Sequence, residues 1–172
     1  MSELHEKLES GIVAYLKQYV DGDPNTAASY WPSSLKNDAG QLRIFTGESD
    51  DIKDGQAILC ISEDANQEEP QFTGNFMVPI QIWLRTPVKV LTAKEVSAQV
   101  TTALEDHAAA AGILSDALNQ DPFALAGYIN SGANGATIMG GIMDLKPMRA
   151  EQPNWFASGW SFRVYAMNST KN

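Results

Sequence analysis

Residues 75–85 constrain the fold more than any other part of the 172-residue chain. Every second position there is a large apolar residue: Phe76, Val78, Ile80, Ile82 and Leu84. A period of two predicts a β-strand with one face in the core. Met77 and Trp83 lie on the other face, so that face also needs cover, from a helix or from a partner. Pro79 cannot donate a ladder hydrogen bond, which predicts a sheet edge or a bulge at this point.

Four other segments show strand patterns, and two show helical ones. The strand patterns cover 41–46, 56–62, 136–148 and 159–167, and two adjacent glycines predict a bulge in the third of them. The helical patterns cover 2–20 and a segment opened by Thr92, which forms a capping box with Glu95. The order helix, three strands, helix, two strands predicts an α+β fold. We expect a mainly antiparallel sheet of about four to five strands with helices packed on one face.

The chain length suits a single α+β domain over residues 1–172, with a few long connections. Residues 21–40 are rich in Ser, Asn, Pro and Ala and predict an extended loop, and 149–156 predicts a long hairpin loop. Gly112 is expected to end or bend the second helix. Asp121, Pro122 and Gly127 predict a connector after it.

The acidic residues are concentrated in one part of the chain. Of the 21 acidic residues, eight lie between positions 48 and 69 beside a single cation, so this window carries −7 of the formal net charge of −9. The eight are Glu48, Asp50, Asp51, Asp54, Glu63, Asp64, Glu68 and Glu69. They flank the apolar strand at 56–62, which predicts a negative surface on a rigid scaffold. Such a surface repels DNA and free phosphate and argues against nucleic-acid binding by attraction.

Neither a membrane span nor a disulfide is expected. No run approaches the roughly 18 apolar residues that a spanning helix needs, and the charged N-terminus lacks the apolar stretch of a secretory signal. Cys60 is the only cysteine. Its apolar neighbours predict a small buried hydrophobe in a protein made in a reducing compartment.

No catalytic, cofactor or metal signature stands out along the chain. Residues 50–55 begin like a calcium loop, but Ile52 and Ile61 occupy positions that require oxygen ligands. Two histidines and one cysteine are too few for an ordinary structural zinc site. Residues 132–135 lack the Lys and Ser/Thr of a phosphate-binding loop, and no Gly-x-Ser-x-Gly elbow occurs. We therefore expect no catalytic residues, no cofactor and no metal, in a protein that is not an enzyme.

Aromatic residues in the predicted loops have two interpretations. Trp31, Trp155 and Phe156 lie outside the strand patterns, where large apolar side chains need a neighbour. They would either cap the sheet ends within one subunit or contact another subunit, since interfaces favour Trp, Tyr and Phe. As candidate subunit contacts we take Arg149 with Trp155 and Phe156, and Tyr30 with Trp31.

The order of elements resembles the tail-terminator and head-to-tail joining proteins of long-tailed bacteriophages. Five parts of the chain carry the resemblance: the amphipathic helix at 4–20, the acidic loop followed by 56–62, the strand at 77–84, the helix opened by Thr92, and the closing hairpin of 143–148 with 160–165. The resemblance is a pattern of elements and includes no catalytic motif. The loop at 21–40 and the alanine-rich region at 107–126 depart from the pattern of the family.

The resemblance implies a structural virion protein, a tail terminator. Such subunits form a hexameric ring that caps the tail tube, stops its polymerisation and provides the surface on which the head docks. The implied partners are further copies of the chain, the tail-tube protein and a head-completion or connector protein. The implied location is the tail or neck of the virion, after assembly in the host cytoplasm. The eight acidic residues would face the ring lumen, through which DNA passes without specific binding.

Two alternatives remain open. A neck or head-completion protein of the same connector would share this architecture. A small ligand-binding or enzymatic α+β domain would instead have its site over the sheet. Ring formation distinguishes the virion interpretations from the ligand-binding one.

Overall fold

A computed structural model describes residues 3–19, 31–47, 55–63, 75–88, 96–132, 135–152 and 155–168. Within these ranges the chain forms three α-helices, a 3₁₀ turn and one five-stranded sheet. The helices are α1 (Glu3–Gln18), α2 (Val96–Asn119) and α3 (Ala124–Ser131). The strands are β1 (Ile44–Thr46), β2 (Ala57–Ser62), β3 (Asn75–Pro87), β4 (Ala136–Gln152) and β5 (Trp155–Asn168).

The strands lie in the order β1-β2-β3-β5-β4. β1 and β2 are parallel, and every other neighbouring pair is antiparallel. On one face of β3, Val78, Ile80, Ile82 and Leu84 are fully buried and point to the core. The three helices pack on this side, which we call the helix face, and the opposite side is the outer face. The predicted α+β fold, with a mainly antiparallel sheet and helices on one face, is confirmed.

α1 packs on the sheet through one apolar stripe. The stripe recurs at four-residue intervals and consists of Leu4, Leu8, Ile12 and Leu16, none of them more than 2% exposed. This spacing places the side chains on one side of the helix, which contacts β1, β2 and α3. Each such burial stabilises the fold by roughly 1.5–3 kcal/mol.

α2 continues through Gly112 to Asn119, so the helix does not end at Gly112, and the predicted bend there stays a prediction. The buried stripe of this helix extends past the glycine and consists of Ala110, Leu114, Ala117 and Leu118. Its burial offsets the roughly 1 kcal/mol that glycine costs inside a helix. The predicted connector at 121–127 is wrong in its second half, because Gly127 lies within α3, and α3 buries Leu125 and Ile129.

The predicted long hairpin loop at 149–156 is wrong. β4 extends to Gln152, β5 begins at Trp155, and their ladder is complete to the pair formed by these two residues. Trp155 and Phe156 favour strands, and they also pair with Pro87 and Thr86 of β3. Pairing on both sides keeps the two aromatic residues within the sheet.

The predicted irregularity in β4 is confirmed. The register between β4 and β5 shifts between Met139 and Met143 and again between Met143 and Lys146. Gly140 (φ 79°) and Asp144 (φ 53°) have left-handed backbone conformations at these shifts, and a left-handed glycine is typical of G1-type bulges.

Pro79, in contrast, lies in a central strand and not at a sheet edge. Its carbonyl oxygen accepts a hydrogen bond from the Glu63 amide at 3.0 Å, just past the end of β2. In a strand, the N–H and C=O of one residue point to the same neighbouring strand. The N–H that proline lacks would therefore also point toward Glu63, just past the end of β2. The sheet tolerates the proline because β2 stops there.

The first half of the predicted 21–40 loop lies outside the described residues. In the second half, Ser33–Leu35 forms a 3₁₀ turn and Lys36 pairs with Leu42 in an isolated bridge. Trp31 and Leu35 belong to the hydrophobic core. This half is therefore a packed segment and not an extended loop.

Candidate functional site

A groove lies between α2 and the end of the β4–β5 hairpin. α2 contacts β3 and β5, while the hairpin provides the opposite wall, and the space between them is about 830 Å³. We call it the α2–hairpin groove. Its lining includes Leu104, His107, Gly112, Arg149, Trp155, Phe156, Ser158 and Trp160. Most of this lining is apolar or aromatic, with polar groups at a few points.

His107 joins α2 to the sheet beside this groove. Its Nδ1 lies 2.6 Å from the Thr86 hydroxyl and its Nε2 lies 2.6 Å from the Ser158 hydroxyl. The Gln56 side-chain amide donates to the same Thr86 oxygen at 2.8 Å. The Thr86 proton can then point to Nδ1, and in that tautomer Nε2–H donates to Ser158.

The same chain of hydrogen bonds extends away from the groove into the core. Gln56 accepts from the Ser34 hydroxyl at 2.8 Å and donates to the Asp106 carbonyl at 3.2 Å. Gln56 and Thr86 are buried. Burial lowers the pKa of His107 from its ordinary value of 6.5, so the imidazole is neutral at neutral pH.

The Ser158–His107 pair has the spacing of a nucleophile and its base, but its surroundings favour a structural role. In acyl-transfer enzymes a carboxylate orients the histidine and stabilises the imidazolium. Here the uncharged Thr86 hydroxyl occupies that place. Ser158 is paired within the sheet to Leu84 on one side and Arg149 on the other. The arrangement cross-links α2, β3 and β5.

The sequence offered no signal for this network. His107 and Ser158 are 51 positions apart, and Thr86 is 21 positions from His107. No local motif connects them, because the contacts exist only once α2 lies across the sheet.

The first group of predicted contact residues comes together at the groove. Arg149, Trp155 and Phe156 all line it. The Phe156 ring centroid is 6.0 Å from that of His107, and the Arg85 guanidinium lies 5.0 Å from the Trp155 ring centroid. Arg149 is exposed. The structure thus places these three residues together, and their role in subunit contact stays a prediction.

The second group is not supported. Trp31 is 1% exposed, and its indole N–H donates to the Leu16 carbonyl at 2.9 Å. A side chain enclosed in the core of one subunit cannot contact another, so the prediction for Trp31 is wrong. Tyr30 lies outside the described residues.

Of the eight clustered acids, the structure describes Glu63 alone. Glu63 is exposed, and its carboxylate accepts a hydrogen bond from the Gln81 amide at 3.0 Å on the outer face. The predictions for the other seven acids fall on residues outside the described ranges. Their lumen role stays a prediction.

A second buried polar cluster joins α1 to the end of β2. The Glu9 carboxylate accepts from the Ser62 amide and the Ser62 hydroxyl, both at 2.7 Å. Because the Ser62 proton points to Glu9, the His5 Nδ1–H donates to the Ser62 oxygen at 3.0 Å. The neighbouring Cys60 is fully buried, and burial raises the pKa of its thiol far above the usual range. It is an unreactive core residue, as the sequence predicted.

Within the described part of the chain, no three His, Cys, Asp or Glu side chains are placed to hold a metal ion. None of the described helices is both long and apolar enough to cross a membrane. Comparison with known proteins identifies no family, since neither a family model nor a curated protein matches the chain.

Proposed function

We propose that the chain is the tail-terminator subunit of a long-tailed bacteriophage. In this role it assembles into a hexameric ring, caps the tail tube and provides the docking surface for the head. The proposal needs complementary surfaces and no chemistry. It agrees with a histidine network that cross-links the fold and with an apolar groove that stands open.

The order of elements supports the proposal. An N-terminal helix, three strands, a long helix and a closing hairpin follow one another along the chain, which is the pattern on which the resemblance to tail terminators depends. α3 follows the long helix and packs on the helix face, and the register shifts of β4 lie in an edge strand.

One observation carries the proposal: within the described residues, the helices leave apolar surface uncovered. The α2–hairpin groove is lined by aromatic and aliphatic side chains. On the outer face Met77, Trp83 and Tyr165 remain partly exposed, and the described helices pack on the opposite side. Extended apolar surface of this kind marks sites of protein contact.

A second candidate is favoured by the size of the groove. A volume of about 830 Å³ falls within the range of small-molecule sites, which combine apolar walls with a few polar groups. Ser158 and His107 would supply such groups. In this interpretation the protein is a small ligand-binding domain and acts as a monomer.

Light scattering over a range of protein concentrations tests the proposal. We expect a species at six times the chain mass of 18.7 kDa, or a monomer that converts to it when tail tubes are added. Electron microscopy of the same tubes should show a ring at one end only. Tubes incubated with the protein should also stop growing when more tube subunit is added.

The opposite result would be a monomer at every concentration that leaves tail tubes uncapped and growing. That outcome would remove the terminator proposal. A rise in melting temperature with one member of a small-molecule library, without change in mass, would then favour the ligand-binding interpretation.

A further inference from the structure

Two large apolar side chains are exposed on the described surface, one within α2 and one just after its C-terminal end. They are Leu104, 49% exposed, and Phe123, 62% exposed. Leu104 lines the α2–hairpin groove. Phe123 lies in the turn between α2 and α3 and projects as a knob. The groove therefore runs along α2 from Leu104 to Ser115, and the apolar projection follows the end of the helix.

The knob is held in place by its own turn. The Asp121 carboxylate accepts a hydrogen bond from the Phe123 amide at 2.9 Å, and the Phe123 carbonyl accepts from the Gly127 amide at 2.9 Å. The Phe123 ring lies beside Gly141 of β4, where an added Cβ would be 3.2 Å from it. A side chain fixed in this way loses little freedom when it is buried by a partner.

Phe123 cannot reach the groove of its own subunit. Phe123 is not part of the groove lining, whose β4 wall runs from Pro147 to Ala150, whereas the Phe123 ring lies beside Gly141, six residues before that wall on the same strand. A groove filled by Phe123 must therefore belong to another copy. A single contact of this kind is head-to-tail and leaves one knob and one groove free for the next subunit, whereas two copies that exchange knobs would close as a two-fold dimer.

The charges around the two patches are complementary. Arg149 is exposed at the groove and makes no ion pair or hydrogen bond with a residue whose side chain the structure describes. Phe123 is accompanied by the exposed carboxylates of Asp116 and Asp121. The sequence has no Lys or Arg between positions 95 and 145, so the knob end of α2 is negative. Two knobs would repel each other, whereas the carboxylates beside Phe123 attract Arg149. The groove also has the exposed carboxylate of Glu105 next to Leu104, which opposes this attraction.

We propose that Phe123 of one copy inserts into the α2–hairpin groove of the next, with Asp121 facing Arg149. This inference rests on the proposed function, because it names the contact through which the ring closes. Trp160, Phe156 and Leu104 form the apolar walls that enclose the ring of Phe123. Repetition of the contact around an axis generates a closed ring.

The test uses two variants that each remove one half of the contact. Phe123→Ser removes the knob and keeps the groove. Gly112→Trp fills the groove and keeps the knob; the position is exposed and a Cβ there meets no atom within 4 Å, so the backbone accepts a side chain, and a thermal melt checks that the variant folds. We expect each variant alone to be monomeric at concentrations where the wild type forms the ring.

An equimolar mixture of the two variants gives the decisive result. One intact contact remains between a Phe123→Ser groove and a Gly112→Trp knob, so the mixture should form a dimer of twice 18.7 kDa and no larger species. A two-fold dimer that exchanges knobs would also keep one contact in this mixture, so the mass of the wild type separates the two arrangements: a ring supports the head-to-tail contact and a dimer contradicts it. Ala109→Trp is the matched control, because it adds the same bulk at an exposed position of α2 outside the groove lining. It should assemble like the wild type.

A charge variant tests the polar half of the contact. Arg149→Glu should weaken assembly at least tenfold at low salt, and the defect should shrink as salt is raised. Circular dichroism and thermal melts of each variant distinguish lost contact from lost folding. Folded variants that assemble normally would overturn the inference.

The outcomes separate this inference from the proposed function. If the wild type forms rings and both variants also do so, the knob-and-groove contact is wrong while the terminator proposal stands. If the wild type forms a ring of another size, lost in both variants and reduced to a dimer in the mixture, the contact is right and the hexamer is wrong. If the wild type neither associates nor caps tubes, both are wrong.

Discussion

His107 shows how one residue joins the helix layer to the sheet. Its two ring nitrogens contact Thr86 on β3 and Ser158 on β5, and burial lowers the pKa of the imidazole. The unfolded chain therefore takes up the proton at a higher pH than the folded chain does. Stability from this group is complete above the ordinary pKa of 6.5 and declines as the pH falls below it.

The resulting prediction concerns the slope of stability against pH. Between about pH 7.5 and pH 5 the free energy of unfolding of the wild type should fall more than that of His107→Gln, which has no group to protonate at this position. Urea unfolding followed by circular dichroism at several pH values measures both slopes. Arg149 and the carboxylates of Glu105 and Asp106 remain in both proteins, so their contributions cancel in the comparison. Equal slopes would mean that protonation of His107 is not coupled to folding.

Trp31 shows what the sequence alone could not predict about a single residue. Its neighbours in the sequence are Ser, Tyr and Pro, which suggest a loop with an exposed aromatic residue. The indole is instead enclosed by the core and donates to the last turn of α1. A tryptophan alone does not reveal whether its partner is in the same subunit, because the same apolar surface suits either.

Within the secondary-structure elements, two glycines affect the stability of the fold in opposite directions. A Cβ added at Gly112 in α2 would meet open space, whereas a Cβ added at Gly159 would overlap the carbonyl oxygen of Ile82 on β3. Gly112 therefore only lowers helix stability, while Gly159 permits the close approach of β3 and β5. Trp83 of β3 lies directly opposite Gly159 in that ladder.

Alanine at each glycine should separate these roles. Gly112→Ala should raise the free energy of unfolding by about 0.5–1 kcal/mol, because alanine is the better helix former. Gly159→Ala should lower it by about 1–3 kcal/mol or more, since the strands must move apart to accept the methyl group. Urea denaturation of the two variants beside the wild type measures both changes. A neutral Gly159→Ala would show that the hairpin shifts freely against β3.

For the molecule as a whole, the distribution of charge is the dominant sequence property. The chain carries a formal net charge of −9, and eight acids of the 48–69 window account for most of it. Non-specific DNA binding depends on phosphate neutralisation by Lys and Arg. A chain with 12 basic and 21 acidic residues opposes such binding. This property agrees with the proposed role in a ring through which DNA passes.

We accordingly predict no binding of duplex DNA at about 0.15 M salt and protein concentrations up to about 0.1 mM, where non-specific binders are already bound. Neutralising the eight acids to Asn and Gln should increase DNA binding at low salt, and the increase should vanish as salt screens it. Fluorescence anisotropy with a labelled duplex provides the measurement. A variant neutralised at eight other acids controls for net charge. Micromolar binding by the wild type would contradict the prediction.

The sequence by itself determined the elements whose patterns repeat over short distances. Alternation over 75–85 identified β3 and its core face, and four-residue spacing identified α1, because both patterns reflect which neighbouring side chains point inward. The sequence patterns gave wrong predictions where the burial of side chains overrode a local glycine or loop signal. α2 passes through Gly112, and β4 and β5 remain paired to Gln152 and Trp155.

Only the tertiary structure decided which distant residues meet. The His107 network, the enclosure of Trp31, and the separation of Phe123 from the groove each depend on how α2 and α1 lie on the sheet. No periodicity encodes these contacts, since they join residues far apart in the chain. The candidate site therefore emerged from packing, while the architecture that carries it was already present in the spacing of apolar residues.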